Sequence, residues 1–377
     1  MKNTNKVAVF FGNEEVGMIA QPENENRTVF QYSPSWLRNG FSISPISLPL
    51  ENRVFISERE PFDGMFGVFN DSLPDGWGRL ITDRYLKNHG IDPLSITPLT
   101  RLTLLGPAMT GSLHYEPAVS REEAPTDTPD LDTLFSETRK ILKDEGSDTF
   151  IDEFYIRGSS SNGARPKIEI NINKEAWIVK FPSAYDSPDM GIMEYDYSRT
   201  ARMCNIETAE FTLLESNLTK GFFASRRFDR PVNKTHMVSV SGLLEASHRE
   251  PALDYKHLFK LSWILSKDIE EQKRVFDLMC FNVFSHNQDD HSKNFSFIYN
   301  VTEGKWKLSP AYDITYSMSA WNEQSTTVNG KGKNITAEDM IELGLQSGLE
   351  KEYLIRRTSD IKTVVDSELA TYISPSK

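Results

Sequence analysis

Residues 287–294 read NQDDHSKN, and the reading of this loop decides the reading of the whole chain. Upstream, IEEQKRVFDLMCFNVFSH (269–286) sets Val275, Leu278, Met279 and Val283 at helical spacing. That spacing predicts an amphipathic helix whose C-terminal end runs into the loop. Downstream, Phe295, Phe297 and Tyr299 alternate on one arm, and Trp306 and Leu308 on a second, which predicts a β-hairpin. The hairpin returns the chain through SPAYDITYS to Asp313. A loop fed by a helix and left by a strand therefore holds Asp289 and Asn294 with four residues between them, and Asp313 follows on the next turn.

Further toward the N-terminus, NKEAWIVKFPS (173–183) predicts a strand with Trp177, Val179 and Phe181 on one face and Ile178 and Lys180 on the other. IDEFYIRGSSSNGARPKIEINI (151–172) reads as a glycine- and serine-rich loop running into a partner strand. A helix is expected from about Met193 to Cys204 and a strand in GFFASRRFDR (221–230). From Val7 to about Glu116 the text is strand-like and turn-rich, with VAVFF, RTVFQY and RVFISE. Inside it, SLPDGWGRLITDRYLKNHG (72–90) predicts a helix entered through Pro74 and Asp75, with Leu80, Ile81 and Tyr85 on one face and Gly90 past its end. PAVSREEAPTDTPDLD (117–132) carries prolines and acids without periodicity and reads as a solvated connector. The tail beyond Gly330 reads as polar helix. The expected division is a β-rich subdomain over 1–118, a connector over 119–132, a segment with loop, lysine strand and hinge over 133–230, and a helical lobe over 231–377.

The composition bounds the answer. At 377 residues, 38% hydrophobic and 25% charged, the chain has enough apolar material for one or two buried cores. Cys204 and Cys280 form no CxxC pair, which speaks against a disulfide framework or zinc knuckle and for two small buried apolar residues in a cytoplasmic protein. The apolar run Val7–Phe11 is too short to span a membrane, so no membrane association is expected. A net charge of −12 opposes the phosphate backbone of nucleic acid, so any contact with DNA is expected to be indirect.

The chemistry of the loop follows from its residue types. In protein kinases the catalytic loop sets an aspartate and, after four residues, an asparagine. The aspartate takes or orients the substrate hydroxyl proton. The asparagine binds magnesium through a neutral oxygen, and Asp313 is placed to be the metal carboxylate. Such a site also needs a cation and a cradle for phosphates. Lys180 on its strand and the small residues of SSSNGARPK, with Arg165 and Lys167, offer both. Taken singly, an Asp–Asp–His run is an ordinary polar turn and a strand lysine is ordinarily solvated. The order of loop, lysine strand, helix, Asp–Asn loop, hairpin and Asp is what joins them. Asp290 stands as the alternative base. A metal-dependent hydrolase built on Asp289, Asp290, His286 and His291, a small-molecule kinase, and a catalytically inactive binding module are the competing readings.

Over nearly its whole length the chain resembles the HipA family of toxin–antitoxin serine/threonine-protein kinases. NQDDHSKNFSF resembles the family's catalytic segment and SPAYDITYS its metal segment; SNGARPK resembles its phosphate loop and FASRRFDR its hinge. SLPDGWGR with GPAMTGSLHYEP resembles its N-terminal lobe. The resemblance implies an α+β, two-lobed protein-kinase-like fold with a mixed β N-terminal lobe and a mainly helical C-terminal lobe. It implies Asp289 as catalytic base, Asn294 and Asp313 as magnesium ligands, and Lys180 and His291 near the ATP phosphates. Gly163, Ala164 and Arg165 would bind phosphate through backbone N–H groups, and Phe228 and Asp229 would border the adenosine. Ser160, with Ser159 and Ser161 as alternatives, would be the autophosphorylated residue. The implied partners are a HipB-like helix-turn-helix antitoxin, which brings DNA, and a protein substrate of the aminoacyl-tRNA synthetase class.

Overall fold

The structure, a computed structural model, describes residues 3–104, 111–118, 129–144, 150–158, 162–184, 186–230, 235–250, 252–319 and 321–373. It is α+β, as the sequence predicts, and divides into two compact units. The first comprises Met1–Gly191, Thr212–Val238 and Gly242–Glu245; the second comprises Ile192–Phe211, Ser239–Ser241 and Ala246–Lys377.

The first unit holds two sheets. One is built from β1 (Lys6–Phe11), β2 (Glu14–Ala20), β3 (Val29–Tyr32), β4 (Phe55–Ile56) and β5 (Leu113–Glu116), in the order β4-β3-β2-β1-β5. The other is built from β6 (Lys167–Ile172), β7 (Glu175–Lys180), β8 (Phe211–Leu214) and β9 (Phe222–Arg226), in the order β6-β7-β9-β8. β10 (Thr235–Ser239) follows. The alternation read in the lysine strand is realised: Trp177, Val179 and Phe181 are buried. They join Ile168, Ile170 and Phe222 in a core that also takes Trp77 and Ile81 from the helix Gly76–Asn88 and Phe154 from the helix Ile151–Gly158. Burying side chains of this size contributes roughly 1.5–3 kcal/mol each, so the helix that starts at Gly76 is built into the sheet bearing Lys180.

Three expectations need correction. IDEFYIRG is not loop but the helix Ile151–Gly158, whose Ile151, Phe154 and Tyr155 are buried at i, i+3 and i+4. The connector ends at Asp130, whose carboxylate accepts the N–H groups of Asp132 and Thr133 and so caps the helix Leu131–Leu142. The helix foreseen from Met193 begins instead at Met190, directly after a turn containing Pro188, and ends at Met203.

The second unit is mainly helical. Its central helix, Ile269–Phe284, is capped by Asp268, which accepts the Glu270 N–H, and carries Glu270 and Glu271 in its first turn, where the helix dipole favours them. The same helix grips the hairpin of β11 (Ser296–Asn300) and β12 (Lys305–Leu308) at Leu308. Glu271 Oε2 accepts the Leu308 N–H at 2.7 Å, and Arg274 Nη1 donates to the Leu308 carbonyl at 2.7 Å. On its other side Arg357, from the helix Lys351–Glu368, meets Asp277 through Nε and Nη2 at 2.8–3.1 Å. The helix and hairpin that bracket residues 287–294 are thereby locked together. Cys204 and Cys280 are buried, and burial pushes both thiols up, Cys204 to about 12. Among the described residues no helix is long and apolar enough to cross a membrane.

Candidate active site

The helix Ile269–Phe284 ends at Ser285, and His286 takes a left-handed φ of 56° that turns the chain into the loop. The next two acidic neighbours part company. The Asp289 side chain is 66% exposed, whereas Asp290 is completely buried. Asp290 Oδ2 accepts from the Tyr255 hydroxyl at 2.7 Å and from Gln324 Nε2 at 3.1 Å, and Oδ1 accepts the Thr326 N–H at 3.0 Å. The network continues through Asn282 Nδ2, which donates to the Tyr255 oxygen at 3.0 Å, and Asn287 Nδ2, which donates to Asn282 Oδ1 at 3.0 Å. Burial pushes the Asp290 carboxyl up to about 8, against the pull of these donors. Asp290 is thus the anchor beneath the loop, and Asp289 is the acid it presents.

Asp289 is fixed through its backbone. Its N–H donates to Ser317 Oγ at 3.0 Å, and its carbonyl accepts Asn294 Nδ2 at 2.6 Å. The second bond spends the Asn294 amide nitrogen and leaves its oxygen as the group to offer outward. The Asn294 N–H closes the turn onto the His291 carbonyl at 2.9 Å. His291 Nδ1 accepts the Lys293 N–H at 3.2 Å, and its Nε2 stands 3.9 Å from Asp289 Oδ1. Gln288, one residue before, holds a second loop in place: its Oε1 accepts the Ser319 N–H at 3.0 Å and its Nε2 donates to Asn322 Oδ1 at 2.7 Å. Nothing in the sequence singled out Gln288 or Ser317 for these duties.

Asp313 also takes the left-handed region, with φ 52°. Its neighbours Tyr312 and Ile314 line, with Asn294, Asn282, Asn287 and Asp290, a cavity of about 10 Å³, the size of a single water. The Tyr312 hydroxyl donates to the Lys293 carbonyl at 2.6 Å, so the segment holding Asp313 is stitched to the loop holding Asn294 at the residue before each of the two expected ligands. An amide oxygen and a carboxylate are the hard oxygen donors magnesium takes when phosphates supply the rest, and the pair fits that ion. Among the described residues no three His, Cys, Asp or Glu are grouped to hold a metal, and the hydrolase reading, which needs Asp290 at an open metal site, loses that residue to the interior.

In the first unit, Lys180 lies directly across the β6–β7 ladder from Lys167, and its Nζ stands 5.6 Å from the centre of the Phe223 ring. Lys167 is buried and donates to the Asn162 carbonyl at 2.5 Å. Arg165 Nε donates to Asp186 Oδ2 at 3.0 Å. Against burial, the Ser183 N–H and the Arg165 guanidinium hold the Asp186 carboxyl below the usual carboxylate range. Gly163 has φ +93° and its N–H donates to Asp75 Oδ1. Phe228 and Asp229 form the turn after β9. The Asp229 carboxylate is buried, accepts the Gly111 N–H at 2.7 Å and pairs with the Arg227 guanidinium, with Nε at 2.9 Å from Oδ1. Burial opposes its ionisation, but Arg227 overrides this and holds Asp229 down to about 2. Ser159, Ser160 and Ser161 lie outside the described residues.

With the fold and the loop in view, the chain is an α+β protein of HipA-like architecture. Residues 159–368, more than half of it, match the HipA-like C-terminal domain, and residues 7–116 match the HipA N-terminal domain. The chain belongs to the HipA family. It is similar to a chain in the solved complex of the Shewanella oneidensis MR-1 toxin–antitoxin system, HipA, HipB and its operator DNA, with a TM-score of 0.71 and 17% identity, covering 98% of this chain and 92% of that one. A Haemophilus influenzae Rd protein with the name "Putative kinase" is 22% identical over 244 residues, 53% of this chain and 71% of that protein.

Proposed function

We propose that this HipA-family chain is an ATP-dependent serine/threonine-protein kinase, acting in the cytoplasm as the toxin of a toxin–antitoxin pair. The observation that carries the reading is the division of labour in residues 287–294: Asp289 presented, Asp290 buried as anchor, and the Asn294 amide oriented by the Asp289 carbonyl. The name of the Haemophilus relative and the fold shared with the Shewanella complex support it.

In this mechanism Asp289 accepts the proton of a serine or threonine hydroxyl as the oxygen bonds to the γ-phosphorus and the bond to the β–γ bridging oxygen breaks, releasing ADP. His291, 3.9 Å from Asp289 Oδ1, lies beside the transferred group. Asn294 and Asp313 would hold magnesium, which would neutralise charge on the phosphates. Lys180 binds phosphate oxygens. Two lysines facing each other across a ladder repel, and a polyanion near Lys167 and Lys180 relieves that repulsion. Of the three amides expected at the phosphates, Gly163 gives its N–H to Asp75; Ala164 and Arg165 contribute theirs, and the backbone and ring of Phe228, with the Asp229 backbone, border the adenosine. The partner is a HipB-like antitoxin. Since a chain with a net charge of −12 gains nothing from a phosphate backbone, DNA is reached through that partner. The protein substrate is an aminoacyl-tRNA synthetase, and a phosphate-loop serine, Ser160 or its neighbours Ser159 and Ser161, is modified in cis or trans.

Intact-mass measurement after incubation with ATP and magnesium, followed by peptide mapping, tests this. The expected result is a gain of one phosphoryl group on a peptide covering residues 159–161. A chain that gains no mass, and that adds no label from ATP to any protein of a cell extract, would defeat the kinase reading.

A further inference from the structure

The residues that hold the phosphate loop in shape come from far upstream. Asp75 occupies the N-cap position of the helix Gly76–Asn88, yet its carboxylate makes no capping bond to that helix. It accepts the Gly163 N–H instead. The Gly163 carbonyl, in turn, accepts the Trp77 N–H at 3.0 Å. Both backbone groups of the loop glycine are therefore taken by residues 75 and 77. Three further bonds brace the same join: Asn162 Nδ2 to the Asp71 carbonyl at 3.2 Å, Lys167 Nζ to the Asn162 carbonyl at 2.5 Å, and Trp77 Nε1 to the Lys167 carbonyl at 3.1 Å. Between the two clamping residues, Gly76 has φ +43°, and a Cβ there would stand 2.4 Å from the Gly163 oxygen and 2.7 Å from the Ala164 Cα. The backbone at 76 is pressed against the loop as closely as only glycine permits.

We infer that Asp75 is a positioning residue for nucleotide binding: it fixes Gly163 as the anchor of the phosphate loop, so that the amides after it, Ala164 and Arg165, are the ones presented to phosphate. The inference rests on the kinase reading. It makes the segment that matches the HipA N-terminal domain a working wall of the nucleotide site, because residue 75 belongs to that domain and residue 163 to the C-terminal one. A helix that gives up its own side-chain cap forgoes that stabilisation, and the carboxylate goes to the loop instead. The competing role for the same carboxylate is that of an occupant, a negative group sitting on an N–H that phosphate would otherwise take. The two roles predict opposite signs.

The test uses the full chain with a fluorescent ATP analogue and magnesium, together with hydrogen exchange over the peptide containing Gly163. Asp75→Ala is expected to weaken analogue binding about tenfold, the worth of one hydrogen bond, and to speed exchange in that peptide. The rate at saturating ATP should stay within about twofold of the wild type, so the loss falls on KM. Asp75→Asn, whose amide oxygen still accepts the Gly163 N–H, is expected to restore both readouts. Should the alanine variant fail to fold, Asp75→Glu, one methylene too long for the join, is expected to weaken binding in the same direction. If Asp75→Ala binds the analogue as tightly as the wild type or more tightly, or if Asp75→Asn is as impaired as alanine, the positioning role is overturned while the kinase reading stands. A wild-type chain that binds no analogue overturns both.

Discussion

Asp289→Asn is expected to lower phosphoryl transfer by roughly a hundred- to ten-thousand-fold, the range for loss of a positioned proton acceptor, while the melting curve stays where it was. The amide cannot take a proton from the attacking hydroxyl. It keeps the size of the carboxylate, and backbone groups set the shape of the loop. The turn is set by the Asp289 N–H on Ser317, the Asp289 carbonyl under Asn294, and the Asn294 N–H on His291, all of which the substitution retains. At 66% exposure the side chain is also in the class whose replacement costs within about 0.5 kcal/mol. Nucleotide affinity should fall little, since Lys180, Asn294 and Asp313 are untouched. Transfer of label from ATP at the wild-type rate by this variant would remove Asp289 from the mechanism.

The parts of this site that were legible in the sequence are those encoded locally. Alternation at 177, 179 and 181 identified the lysine strand, and the 3–4 spacing of Val275, Leu278 and Met279 identified the helix that feeds the loop; both are buried as that pattern requires. The interval from Asp289 to Asn294 is likewise local. The helix Ile151–Gly158 had a local signal too, in Ile151, Phe154 and Tyr155, but the run of glycine and serine after it drew the reading toward loop. What sequence could not show were pairings between distant positions. Asp75 and Gly163 are 88 residues apart, and nothing about either predicts the other. Asp289 and Asp290 are adjacent and chemically identical, and the donors that claim one of them, Tyr255, Gln324 and Thr326, lie 34–36 residues away. Which carboxylate faces water was decided by tertiary structure alone.

That buried carboxylate sets the second large effect. In the folded chain Asp290 sits at about 8 because of its burial, whereas an unfolded aspartate titrates near 3.9. Between those values the folded protein holds a proton that the unfolded chain has released, so the contribution is complete below about pH 4 and is lost progressively as the pH rises through 8. The decline can reach about 1.4 kcal/mol per pH unit. Asp290→Asn removes the titration, yet it has its own cost. Donors approach both oxygens, from Thr326 on one and from Tyr255 and Gln324 on the other; the protonated acid turns a single O–H toward one set and that oxygen still accepts, whereas the amide turns an NH2 that accepts nothing. Leaving a buried donor unmatched costs about 1–3 kcal/mol. The wild type is therefore expected to be the more stable protein near pH 4 and the asparagine variant the more stable by pH 8.5, because only the wild type loses stability over that interval. Urea unfolding of both proteins across the range measures it. Two parallel pH profiles would mean that Asp290 carries no proton in the folded chain, and that the three donors hold it as a buried anion from pH 5 upward.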